Sequence, residues 1–220
     1  SFADPMKGNM KWLLLVPVFA LALALGYLIP TQLLSGGGGD EQSADNSQKS
    51  QAARIEIEDI QSRLNDYQTV LSRNPGDIDV VRVLADTYYE MGTIQGENGD
   101  INDSYRSHKN AVDQYLKYLS VKPDNVEVMT DLGLAYAELQ MTDIAIRELK
   151  AAVALAPGNQ RAWHSLGWVQ YKWASSLPDA KVAWRKSYDI DPNTPIGKES
   201  KSFLDDFSGQ QSLASPSTAP

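Results

Sequence analysis

The chain has 220 residues, 42% of them hydrophobic and 22% charged, which suits one folded domain of moderate size with appendages. A net charge of -8 and an isoelectric point near 4.8 repel phosphate backbones, so nucleic acid is not expected as a partner. There is no cysteine and there are only two histidines, His108 and His164, which excludes disulfides, thiolate metal sites, thiol catalysis and a His-rich metal centre.

In chain order, residues 1–11 form a short N-terminal segment in which SFADP precedes Met6 and Met10, either of which is the expected start. The run WLLLVPVFALALALGYLI, Trp12 to Ile29, carries no charge. As a helix it spans about 27 Å, close to the thickness of a bilayer core. Trp12 and Tyr27 lie near its ends, where amphipathic rings favour the headgroup level. The expectation is an uncleaved single-pass anchor over 12–30. The competing reading is a cleaved signal peptide, but Ala22 and Ala24 lie inside the run and GYLIP keeps it apolar afterwards. Lys7 and Lys11 precede the run, whereas Asp40, Glu41 and Asp45 follow it, so the N-terminus is expected on the cytoplasmic side of the cytoplasmic membrane and the bulk of the chain on the outer side, in a periplasm where there is one. Residues 31–51, rich in Gly, Ser, Asn and Gln, read as a flexible linker, and 208–220 as a disordered tail.

The folded part is expected over 52–207. Ile57, Ile60, Leu64, Tyr67 and Leu71 recur at helical spacing and predict a helix over 53–73. RNPGD, VKPDN, LAPGN and IDPNT then place Pro75, Pro123, Pro157 and Pro192 at spacings of 48, 34 and 35 residues. A period of 34 closed by Pro resembles the tetratricopeptide repeat, TPR, in which two antiparallel helices form each unit. The consensus order of bulky, Leu, small, Tyr, Ala, bulky, Ala and Pro is matched by Met129, Leu132, Gly133, Tyr136, Ala145, Leu149, Ala152 and Pro157. Repeats are thus expected at about 78–123, 126–157 and 160–192, followed by a capping helix over 195–207. The resulting fold class is an all-α TPR solenoid of about three repeats behind a transmembrane helix. Ala85, Gly133, Ala145, Ala152, Gly167 and Ala180 stand at the small positions, where helix backbones approach closely. Tyr118 and Ser187 replace a small residue, and Gln170 replaces the Tyr, in the outer repeats.

The first repeat carries extra residues. Thr93 to Asn110 is polar and reads as a loop between its helices, with His108 solvated in it. Asp100, Asn102 and Ser104 alternate as oxygen ligands of a calcium loop would, but Tyr105 stands where such a loop needs Gly, and a solvated loop that lengthens the flanking helices is the other reading.

The TPR resemblance implies a concave groove lined by the first helices. Its positions correspond here to Asp79, Arg82, Asp86 and Tyr89, then Glu127, Thr130, Leu134 and Ala137, then Arg161, His164, Trp168 and Tyr171. Of these, Arg82, Tyr89, Arg161, His164, Trp168 and Tyr171 are the expected protein-binding residues, with aromatic anchors and arginines that meet a carboxylate. A second reading packs Trp168 and Tyr171 against the capping helix around Phe203. No nucleophile–base pair, phosphate loop or metal cluster is visible, so no catalytic residue, metal, cofactor or small-molecule substrate is expected. The anchor, the lone helix, the first repeat and the last repeat DAKVAWRKSYDIDP together look like the membrane-anchored TPR subunit of cytochrome c maturation, which implies a scaffold that holds apocytochrome c for haem attachment. The alternative is an adaptor docking a membrane complex such as a translocon or a respiratory complex.

Overall fold

The computed structural model describes residues 40–208, which form α1 (Asp40–Arg73), α2 (Ile78–Glu97), α3 (Ile101–Val121), α4 (Val126–Glu138), α5 (Thr142–Leu155), α6 (Gln160–Lys172), α7 (Leu177–Ile190) and α8 (Pro195–Asp206). The apolar run 12–30, residues 31–39 and the tail from 209 lie outside the described residues. Among the described helices none is long and apolar enough to cross a membrane.

Each proline turn both ends one helix and starts the next. After Pro75, Pro123, Pro157 and Pro192, the second residue on is Asp77, Asn125, Asn159 and Thr194, and each caps the helix that follows. Their side-chain oxygens accept from the backbone N–H of Val80 at 3.2 Å, Val128 at 3.1 Å, Ala162 at 2.9 Å and Gly197 at 3.0 Å. Such a cap contributes about 1 kcal/mol relative to alanine. The first helices α2, α4, α6 and α8 are all capped in this way, whereas α3, α5 and α7 have no side-chain cap. The turns inside the hairpins work differently: each holds one residue at positive φ, Gly99 at 88°, Gln140 at 59° and Ser175 at 52°.

The hairpins α2–α3, α4–α5 and α6–α7 close on the expected small positions. Ala85, Ala145, Ala152 and Ala180 are fully buried. A Cβ on Gly133 would lie 2.7 Å from Leu149 Cγ, and one on Gly167 would lie 2.6 Å from the Trp184 ring. Both distances are shorter than van der Waals contact, so at these two points the hairpin closes only around hydrogen. Successive first helices also touch, α2 with α4, α4 with α6 and α6 with α8, whereas α3 and α5, and α5 and α7, do not. The first helices therefore form the inner row of the stack. α1 runs antiparallel to α2, with Arg63 bonded to Glu90 at 2.9 Å and Gln68 to the Tyr88 hydroxyl at 2.8 Å. Ile60 and Leu64 bury themselves against Leu84.

Three features differ from the sequence reading. Residues 40–51, expected in the linker, belong to α1, so the flanking helix starts at Asp40 and not near 53. The segment 93–110 is helical except for a turn at residues 98–100, so α2 and α3 are each about two turns longer than α4 and α5. Its polar residues pair across the hairpin. The buried Ser104 hydroxyl donates to Gly92 O at 2.7 Å, and Ser107 donates to Gln95 Oε1 at 2.7 Å. Ser104 is buried within the hairpin and not displayed in a loop. His108, expected in solvent, is 2% exposed and lies flat against Gly92, where a Cβ would come within 2.8 Å of the ring.

Candidate functional site

The inner row presents one continuous face. Helical spacing puts Arg82, Asp86, Tyr89 and Glu97 of α2 beside Glu127, Asp131, Leu134 and Glu138 of α4 and Arg161, His164, Trp168 and Lys172 of α6. The structure divides this face into two parts with different chemistry.

At the helix N-terminal end lies an ionic floor. Arg161 donates to Asp131 and reaches Glu127 Oε2 at 3.4 Å, with its side chain 18% exposed and that of Asp131 15%. Burial works against the guanidinium charge, but Asp131 and Glu127 outweigh it, so Arg161 stays protonated. Arg82 lies 3.8 Å from Asp86, and Asp86 accepts the Tyr115 hydroxyl at 2.9 Å. Partial enclosure, and then the neighbouring Asp131 carboxylate, push Asp86 up to about 6. Burial, with Glu138 and Asp131 adding to it, raises the Tyr89 hydroxyl, which stays protonated at neutral pH. Both arginines expected to meet a partner's carboxylate are thus already matched by acids of this chain.

At the C-terminal end of the stack, α8 lies over the aromatic residues of α6. Phe203 stacks on Trp168 at 5.6 Å and on His164 at 5.8 Å between ring centroids, and Phe207 meets Tyr171 at 4.8 Å. His164 Nδ1 is 2.9 Å from Ser200 Oγ, which donates in turn to Ser187 Oγ at 2.9 Å. Ser187, a departure from the repeat pattern, therefore serves as the acceptor that receives α8. Burial, and then Arg161, lower His164 to about 4, so its 3.6 Å approach to Glu199 is a neutral contact at pH 7 and not an ion pair. Ser200 is fully buried. The Glu199, His164 and Ser200 arrangement accordingly fastens a helix and offers no accessible nucleophile.

Of the six expected binding residues, the structure brings Arg82, Tyr89 and Arg161 together on the floor and gathers His164, Trp168 and Tyr171 under α8. Tyr171 keeps 36% of its surface exposed. The sequence reading missed Asp131, Glu138 and Tyr115. Asp131 follows Glu127 by four residues and Glu138 follows Asp131 by seven, a helical stripe visible in the sequence. Tyr115 lies on α3, and its hydroxyl reaches Asp86 from this second helix of the hairpin.

No protein-family model matches the chain, and no curated protein matches it. The chain does resemble solved structures. A tetratricopeptide repeat protein from Parabacteroides merdae is 16% identical, with a TM-score of 0.49, over 77% of this chain and 61% of that one. The first TPR of Spaghetti (RPAP3), bound to the HSP90 peptide SRMEEVD, is 22% identical, with a TM-score of 0.40, over 56% of this chain and 93% of that one. A MamA RS-1 double mutant is 19% identical, with a TM-score of 0.43, over 76% and 98%. The structural neighbours include TPR proteins. None of them transfers a partner or an activity to this chain.

Proposed function

We propose that this chain is a non-catalytic protein-binding scaffold that holds a segment of another protein on the face of α2, α4 and α6. The observation that supports the reading is the continuity of that face. Helices spaced about 10 Å apart carry it across three hairpins, giving about 20 Å of surface, the length of a helical segment of three to four turns. Tyr89, Leu134 and Trp168 stay partly exposed on it while the residues behind them are buried.

The uncharged run 12–30 supports a membrane tether, which would raise the local concentration of a membrane-bound partner so that a weak groove suffices. With that tether, the chain layout supports an apocytochrome c segment as the cargo, held for haem attachment. A docked membrane complex is the alternative. The test is a photo-crosslinker at Tyr89, on the open part of the face, in native membranes. An extended apocytochrome or a haem-lyase subunit among the products supports the maturation reading, and a folded complex subunit supports the adaptor. Crosslinks only to this chain's own residues would sink the scaffold reading on this face. Recovery of the chain in the soluble fraction after carbonate extraction would sink the tether.

A further inference from the structure

Fourteen residues after the cap of each first helix stands the side chain that closes the seam with the helix before it. Counted from Asp77, Asn125, Asn159 and Thr194, that position falls on Met91, Leu139, Trp173 and Ser208. Met91 packs against Ile60 and Leu64 of α1. Leu139 is buried in one cluster with Val112 of α3. Trp173 packs on the cluster that Ile146 of α5 also joins. In the last seam, between α7 and α8, the position holds a serine, too small to fill the place of a leucine or a tryptophan. The structure leaves a notch of about 500 Å³ there, lined by Pro178, Lys181, Val182 and Arg185 of α7 and by Leu204 and Ser208. Such a volume is in the range of clefts that seat ligands. Its apolar wall is open to solvent, with Val182 61% exposed. Its rim is cationic. The Lys181 ammonium donates one N–H to Phe207 O at 2.6 Å and keeps two more. Arg185 is exposed. Among the described residues neither cation has a carboxylate within ion-pair distance: on the same two helices Asp205 pairs with Lys201 at 2.6 Å and Asp179 accepts from Ser176 at 2.8 Å.

We infer that this notch docks an acidic helical segment of a partner protein. A bulky apolar side chain of that segment takes the place that Ser208 leaves unfilled, against Val182 and Leu204, and its carboxylates meet Arg185 and Lys181. Charge complementarity selects this occupant, because the apolar wall lies between two cations that no acid of the chain answers. The notch is built by α7 and α8 and does not use the face of α2, α4 and α6, so the inference stands apart from the scaffold reading of that face.

The test uses the full chain in detergent and a labelled synthetic helical peptide of about fifteen residues, with glutamates on its polar face and one tryptophan on its apolar face, followed by fluorescence anisotropy. The peptide is expected to bind, and to weaken at least about tenfold when its tryptophan becomes alanine or its glutamates become lysines. Ser208→Trp fills the notch from within the chain, as Trp173 does one seam earlier. It is expected to weaken binding about tenfold or more without lowering the melting temperature. Arg185→Glu, on the exposed side of α7, is expected to do the same, and it keeps the test open if Ser208→Trp disturbs α8. Charge is tested by substitution and not by salt, since at a net charge of -8 salt screens an overall repulsion along with the local attraction. Equal or tighter binding of the lysine peptide would overturn the inference, as would no binding, or binding that neither variant weakens. Weakening by Tyr89→Ala alone would put the peptide on the inner face, which favours the scaffold reading and defeats this one. Two further outcomes assign the notch to another occupant and also overturn the partner. One is an assembly of the chain with itself, seen by sedimentation, that Ser208→Trp disperses. The other is peptide binding that appears only in Leu213→Asp, which would give the notch to the chain's own residues 209–220.

Discussion

At the level of single residues, the hairpins depend on what is absent at Gly133 as much as on what is present. Gly133→Ala puts a Cβ 2.7 Å from Leu149 Cγ and 3.3 Å from the Ala145 carbonyl oxygen. The steric cost exceeds the roughly 1 kcal/mol that alanine gains in helix propensity, so a net loss of about 1–3 kcal/mol is expected by denaturant unfolding. Gly76→Ala, with nothing within 4 Å of the added carbon, is the control and is expected to leave stability unchanged or slightly raised. His108 makes a second prediction. Burial lowers it to about 4 from an ordinary value of 6.5, so it is neutral in the folded chain and its Nε2 has no hydrogen-bond partner. Between those two values the unfolded chain binds the proton that the folded chain refuses. Stability is thus full above pH 6.5 and falls as pH drops towards 4, by about 3 kcal/mol from this residue. Comparing melting curves of the wild type and His108→Leu across that range checks it; the variant is expected to show a shallower decline, with His164 accounting for much of what remains. Asp86 has the opposite sign: its folded value is raised to about 6, so its contribution is present at acid pH and lost as pH rises through 6.

At the level of helices, the small positions and the proline turns were legible in the sequence because both rest on local chemistry. A Gly or Ala at a fixed interval, and a Pro followed by Asp, Asn or Thr, state their roles within one repeat. The extension of the first hairpin was legible only as one reading of a polar loop, for a physical reason. Residues 93–110 are joined across the hairpin by hydroxyl, amide and imidazole groups such as Ser104, Ser107, Gln95 and His108, and not by apolar side chains, so hydrophobic periodicity fades where the helices continue. The role of α8 was half legible. Phe203 was seen as a packing partner for Trp168, but the acceptor at Ser187 and the donor at Ser200 look in sequence like lapses from the repeat. Trp168→Ala is therefore expected to loosen α8, lowering stability by about 2 kcal/mol. A double-mutant cycle with Phe203→Ala should return a coupling of about 0.5–1.5 kcal/mol, and additive effects would deny the stacking.

For the whole molecule, the apolar clusters draw on residues between Ile60 and Phe207. A chain cut to 40–208 is expected to melt cooperatively within a few degrees of the full chain, and a clear drop by circular dichroism would show that the flanking segments hold part of the fold. Inner-row helices touch one another while α3, α5 and α7 do not. Mechanically, each outer helix is keyed onto the next inner one, α3 on α4, α5 on α6 and α7 on α8. Like bricks laid in running bond, the hairpins share their joints with a neighbour, so a load on one hairpin passes to the next through its outer helix.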